Sequence, residues 1–184
     1  ENAAASNQAW SMESKTHAVK QLTSIDGGIS NFKVAPTGGK IAFTLDIKLD
    51  QEPNEIYADL PKADARIIDQ LMFRHWNGWH DYRYSHLHVS VLGKDGIAEV
   101  PIDLMAGRKA DCPVPPFGGT EQFNWSPDGT EIAFTMKDVE KWEESTNSDV
   151  YVIASDGTGE LTNVSKDGLG YDNNPIYSPN GKLL

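Results

Sequence analysis

The sequence predicts an all-β chain, a partial β-propeller of four-stranded antiparallel blades carrying one helical and aromatic insertion. Three observations predict it. One short phrase occurs three times, as VAPTGGKIAFT from Val34, WSPDGTEIAFT from Trp125 and YSPNGKLL from Tyr177. A second phrase, built on an Asp-Gly turn, follows each of the first two copies, in SHLHVSVLGKDGIAEVPIDL from Ser85 and SDVYVIASDGTGELTNVS from Ser148. The spacing is that of a blade: Pro127 and Pro179 lie 52 residues apart, against roughly 40–50 residues per propeller repeat.

Taken in order, residues 9–23, with Trp10 and Met12 before Val19 and Leu22, read as the last two strands of a preceding blade. Residues 29–105 read as a full blade, with Phe32 before the turn at Pro36–Gly39 and Ile41–Phe43 after it. Pro36 and Pro127 are 91 residues apart, room for two blades or for one blade with an insertion. A single Asp-Gly phrase lies between them, which favours an insertion at about residues 50–84. Residues 121–165 read as a compact blade. There Phe123 and Trp125 alternate around Asn124, as on a strand with one buried face. Pro127 presets its own φ, Asp128 can bond the local backbone and Gly129 tolerates positive φ, so the three make a tight turn. Ile132, Ala133 and Phe134 are apolar on both faces, as stacked blades require. The third and fourth strands carry Leu87, Val89 and Val91 before Asp95-Gly96, and Val150 and Val152 before Asp156-Gly157. Asp-Gly between alternating strands is a strong hairpin signal. Residues 173–184 read as the opening of a further blade. The third phrase stops midway at Leu184, so a piece of a longer protein is expected.

The insertion differs in pattern. Ala63, Ile67 and Leu71, and likewise Arg66, Gln70 and Arg74, recur at helical spacing, with Asp64 as an N-cap or first-turn acid. Phe73, His75, Trp76, Trp79, His80, Tyr82 and Tyr84 crowd into twelve residues. An aromatic cluster outside the strand pattern must cover something, since a loop otherwise exposes it to water.

Composition excludes several classes. A length of 184 residues suits one ordinary domain and is marginal for a closed ring. The net charge of -11 would repel a phosphate backbone, so nucleic acid is not an expected partner. Asp46, Asp50, Glu52, Glu55, Glu140, Glu143 and Glu144 are expected in solvated loops. No apolar run approaches the 18 or so residues of a membrane span. ENAAASNQAW lacks a basic n-region and an apolar core, so it does not read as a signal peptide. Cys112 is the sole cysteine, which leaves no internal disulfide. His75, His80, His86 and His88 fall within fourteen residues, but their spacing matches no closed zinc set, and hydrogen-bonding roles are expected. The glycine pairs at Gly27, Gly38 and Gly118 lack the Lys-Ser/Thr of a phosphate loop, and no cofactor or metal is expected. Gly-x-Ser-x-Gly does not occur, and no complete catalytic set is present.

The phrases NWSPDGTEIAFT, SDVYVIASDG…GELTNVSKDG and NPIYSPNGKLL resemble the repeats of TolB-like propellers, which also form the N-terminal domain of prolyl oligopeptidase family serine peptidases. LMFRHWNGWHDYRYSHLHV is similar to the insertion before a blade's third strand in the dipeptidyl-peptidase-5-like and acylaminoacyl-peptidase-like members. The resemblance covers essentially the whole chain. It implies a non-catalytic, gating propeller over a Ser-Asp-His triad carried by a separate C-terminal α/β-hydrolase domain, acting on short peptides in a periplasmic or secreted setting. The partners implied are a peptide substrate and that hydrolase domain. No catalytic residue transfers to this chain; Arg74, His75, Trp76 and Trp79 are the candidates for facing substrate or the hydrolase domain. The competing reading has Trp76 and Trp79 only packing the insertion onto blade edges. A TolB-like propeller serving as a protein-binding module is the alternative function. A propeller glycan lyase, a third class, needs a His/Asp cluster or metal site across several blades. An incomplete ring leaves edge strands unpaired, so self-association through open edges is also expected.

Overall fold

Turn chemistry sets the strand pairs. The computed structural model describes residues 6–69 and 71–184. Strands β1 (Trp10–Met12) and β2 (Val19–Gln21) form a hairpin. Strands β3 (Ser30–Val34) and β4 (Lys40–Lys48) flank the Pro36–Gly39 turn, where the Gly38 N–H donates to Ala35 O at 2.8 Å. A four-residue helix α1 (Pro53–Ile56) and a small hairpin, β5 (Arg74–His75) with β6 (Gly78–Trp79), occupy the insertion. Then follow β7 (Arg83–Gly93), β8 (Gly96–Ile97) and β9 (Ile102–Asp103). The second unit is β10 (Phe123–Trp125), β11 (Glu131–Met136), β12 (Asp149–Ala154) and β13 (Thr162–Asn163). Gly129, at φ 71°, closes the Ser-Pro-Asp-Gly turn between β10 and β11 by donating to Ser126 O at 2.9 Å.

Two larger antiparallel sheets result beside the two-stranded pairs β1–β2 and β5–β6, and the chain is all-β in character. The second has the order β10-β11-β12-β13. The first runs β3-β4-β7, with both β8 and β9 on the free edge of β7, so its fourth strand is in two pieces. Pro101, which has no N–H to give to a ladder, lies in the gap between them.

The sheets stack face to face, as propeller blades do. Alternation along each strand explains it: Ile132, Phe134 and Met136 of β11 share one core with Ala42, Leu87 and Val89 of the first sheet. Ile41 and Phe43, the intervening positions of β4, pack the other way onto Ala9 and Ile29. The first sheet is therefore covered on both faces, which is why β4 is apolar on both sides over Ile41–Phe43. Lysine heads stitch the stack: Lys33 Nζ donates to Phe123 O at 2.8 Å and Asn124 Oδ1 at 2.6 Å, and Lys40 Nζ reaches Ser155 Oγ at 2.6 Å.

The β7–β8 turn shows how closely the first hairpin segment presses on this sheet. Gly96 sits at φ 115°, and a Cβ there would lie 2.6 Å from Leu22 O. Gly96→Ala is expected to cost about 1–3 kcal/mol from combined strain and clash. Urea unfolding should report it as a lower midpoint at unchanged slope; an unaltered midpoint would contradict the close packing.

Three expectations need correction. No helix spans residues 63–69 or 71–74, and Asp64 caps nothing; Gln70 lies outside the described residues. A helix of that length needs a buried apolar stripe, and Ile67 and Leu71 are exposed instead. The helix that does form, α1, begins at Pro53, with the Glu52 N–H donating to the Glu55 carboxylate at 2.7 Å. This reciprocal first-turn signal, Glu-Pro-x-Glu, was available in the sequence. Asp46 stands within β4 and Glu55 within α1, not in loops. Residues 173–184 contain a turn, with the Ser178 N–H donating to Leu183 O at 2.8 Å, but no strand. Residues 1–5 of the stretch compared with a signal peptide lie outside the described residues. No helix among the described residues is long and apolar enough to cross a membrane.

Candidate functional site

Strands β4 and β7 run on beyond β3. Their ladder continues from Leu45↔His86 to Lys48↔Arg83, whereas β3 last pairs at Thr44. The insertion is mounted on this two-stranded extension. At its root the Asp50 carboxylate accepts from Tyr84 Oη at 2.8 Å, His80 Nε2 at 3.2 Å and Lys109 Nζ at 2.6 Å. Burial works to raise the Asp50 pKa, but the hydrogen bonds from Lys109, Tyr84 and His80 outweigh it and hold the group below the ordinary carboxylate value. Burial, then the Asp50 carboxylate, pushes the Tyr84 phenol well above its ordinary range.

The hairpin above this root gathers all four sequence candidates. Arg74 Nε donates to Trp76 O at 2.7 Å, closing a turn in which Trp76 takes a φ of 49°. Phe73 stacks on Trp79 with centroids 5.8 Å apart. The guanidinium carbons of Arg66 and Arg74 lie 5.1 and 5.5 Å from the Trp79 ring centre, within cation–π range. Arg66 Nη1 also donates to His80 O at 3.1 Å. His75 lies against Trp76 at 4.9 Å, and Trp76 meets the edge of Phe117 at 5.7 Å. Trp76 is 68% and Phe117 80% exposed, so the two rings form an apolar edge in water.

Sequence reasoning missed Phe117, Asp50 and Lys109 as members of this site, and it gave Arg66 to a helix. The signal for Phe117 was the run Pro113-Val114-Pro115-Pro116, a stiff, proline-rich segment that presents an aromatic at its end. Chemically, guanidinium groups and π-faces can hold and orient a ligand.

Below the insertion lies a buried charge. His86 is fully buried, with Nδ1 2.9 Å from Asp103 Oδ2 and Nε2 2.8 Å from Arg108 O. A carboxylate and a carbonyl can only accept, so this geometry favours a proton on both ring nitrogens, the imidazolium form. Burial alone would depress its pKa, yet the bond to Asp103 and the nearby charges of Asp103 and Asp111 raise it overall. Burial would also raise the Asp103 pKa, but His86 and the Met105 N–H hold it low. His88 donates from Nδ1 to His86 O at 2.9 Å, and burial pushes its pKa down. Asp111, accepting from the Ser85 N–H at 2.7 Å, is pushed up by burial, as is the thiol of Cys112. The Arg108 side chain pairs with Asp138, just beyond β11, so this network ties the two sheets. With both nitrogens engaged, His86 has no lone pair for a metal. Among the described residues, no group of three or more His, Cys, Asp or Glu side chains is placed to hold one.

Stacked antiparallel sheets bearing an aromatic and guanidinium hairpin define the class: a β-rich scaffold of propeller-like blades. No protein-family model matches the chain. It is 38% identical over 160 residues to Dipeptidyl-peptidase 5 of Porphyromonas gingivalis, a match over 86% of this chain and 23% of that protein. It is 33% identical over 167 residues to Dipeptidyl-peptidase 5 of Porphyromonas endodontalis, over 90% of this chain and 24% of that protein. Dipeptidyl-peptidase 5 of Aspergillus fumigatus matches at 30% over 147 residues, 71% of this chain and 20% of that protein. The chain is thus homologous to part of proteins named dipeptidyl-peptidase 5, and it spans about a quarter of the length of the curated relatives it matches.

Proposed function

We propose that this chain is the propeller portion of a prolyl oligopeptidase family serine exopeptidase that removes dipeptides from short peptides. In it the chain is non-catalytic: it forms part of the wall of the cavity over a hydrolase domain and gates entry. The similarity to proteins named dipeptidyl-peptidase 5 along most of the chain carries this reading. The stacked sheets and the TolB-like repeat phrases support it. Trp76 and Phe117 fit the gate, because aromatic rings left this exposed are stabilised when a peptide or a facing domain covers them.

The test uses the full-length protein with chromogenic dipeptidyl substrates and short peptides. Dipeptide release is expected. Replacing Trp76 and Trp79 by alanine should raise KM for peptides about tenfold, with a smaller change in kcat, as loss of uniform binding does. Absence of dipeptide release would refute the peptidase assignment and leave a protein-binding propeller as the better reading. Unchanged KM would refute the gating role of the hairpin.

A further inference from the structure

In a chain with 27 acidic and 16 basic side chains, three cations around the insertion are neutralised by carboxylates. Lys48 pairs with Glu52 and Glu55, Lys109 with Asp50 and Arg108 with Asp138. Arg66 and Arg74, like Lys62 and Arg83, have no carboxylate within 4.0 Å among the described residues, and of these four only Arg66 and Arg74 lie over Trp79. Each directs a hydrogen bond to a backbone carbonyl, His80 O or Trp76 O, and each lies on the face of Trp79. A guanidinium has five N–H donors in a rigid fork, so most of that capacity faces outward, already oriented.

We infer that Arg66 and Arg74, held against Trp79, form a carboxylate-reading subsite for acidic peptides, favouring substrates with Asp or Glu downstream of the released dipeptide. This rests on the peptidase reading above. Three features point to it. Stacking and the carbonyl bonds fix both side chains before any ligand arrives, which lowers the ordering cost of binding. The whole chain, at net -11 even with these two arginines counted, repels an acidic peptide, which makes a pair of preoriented guanidinium groups a complementary point for it. The Trp76–Phe117 edge beside it offers an apolar shelf for the peptide's neighbouring side chains.

The test compares two fluorescein-labelled hexapeptides sharing an N-terminal dipeptide, one with glutamate at the four following positions and one with glutamine. Binding is read by anisotropy on the full-length protein at low and physiological salt, and dipeptide release is read in parallel. The glutamate peptide should bind about five- to tenfold more tightly, a preference that shrinks with salt. In Arg66→Gln/Arg74→Gln, or in either single variant should the double fail to fold, the preference should fall towards one. Arg→Lys at both positions should restore only part of it, because an ammonium keeps the charge and loses the fork. Equal binding of both peptides by the unaltered protein, or a preference that survives both substitutions, overturns the subsite. Preferential binding without dipeptide release leaves the subsite standing and removes the peptidase assignment; release without preference does the reverse.

Discussion

Replacing Asp103 by alanine should destabilise the protein by about 3–5 kcal/mol, the range for removing one partner of a buried ion pair. The expectation follows from geometry. His86 is fully buried and both its nitrogens face acceptors. Without Asp103 it either keeps a charge against a single neutral acceptor, Arg108 O, or gives up a proton and leaves Nδ1 without its partner, and both cost stability. The double replacement by leucine, His86→Leu/Asp103→Leu, should recover most of the loss, because two apolar groups remove the buried charge altogether. The pH profile supplies a second readout. His86 has its pKa raised above 6.5, so its contribution is complete below 6.5 and is lost as pH rises through the folded value. Asp103 has its pKa lowered below 3.8, so its contribution is complete above 3.8 and is lost as pH falls through the folded value. The pair therefore stabilises most between about pH 4 and 6.5. Asp111, with its pKa raised, adds to the decline above its ordinary 3.8. Thermal unfolding of the unaltered protein should show a midpoint falling from pH 6.5 towards 9, and that slope should flatten in Asp103→Ala. Equal slopes in the two proteins would argue against a charged His86.

Phe134→Ala should cost a similar amount, about 3–5 kcal/mol, for a different reason. Phe134 is fully buried, pairs across the ladder with Phe123, stacks on Tyr151 at 6.1 Å and belongs to the core shared by both sheets. A cavity there is opened between the sheets, so both should unfold together at lower denaturant. Phe134→Leu, which keeps most of the volume, should lose appreciably less. A single cooperative transition is expected for each variant; separate transitions for the two sheets would show that the shared core does not couple them.

How much of this was legible in the sequence depends on how local its causes are. The hairpins at Ser126–Gly129 and Asp156-Gly157 could be read directly, because a few consecutive residues determine them. The alternation of Ile132 and Phe134 also announced a face packed on a second sheet. The helix expected over residues 63–74 failed because spacing without a surface to bury against has no stabilising force, and Arg66 instead lies over Trp79. The hairpin candidates Arg74, His75, Trp76 and Trp79 were recognisable as a dense aromatic run. Their completion by Phe117 and the anchoring of the root by Asp50 were not, since both residues are distant in sequence and meet Trp76 and His80 only through the fold. The charge on His86 was equally hidden, because it depends on what each ring nitrogen faces.

The continuation of β4 and β7 beyond the sheet gives the insertion something like a mast. In such a ladder, one residue added or removed near Asp46–Lys48 turns every following side chain to the opposite side, whereas two matched residues lengthen the mast by about 7 Å and preserve its facing. Changes of stalk length in even steps would thus adjust the height at which Trp76 meets whatever lies opposite, leaving the stacked sheets beneath untouched.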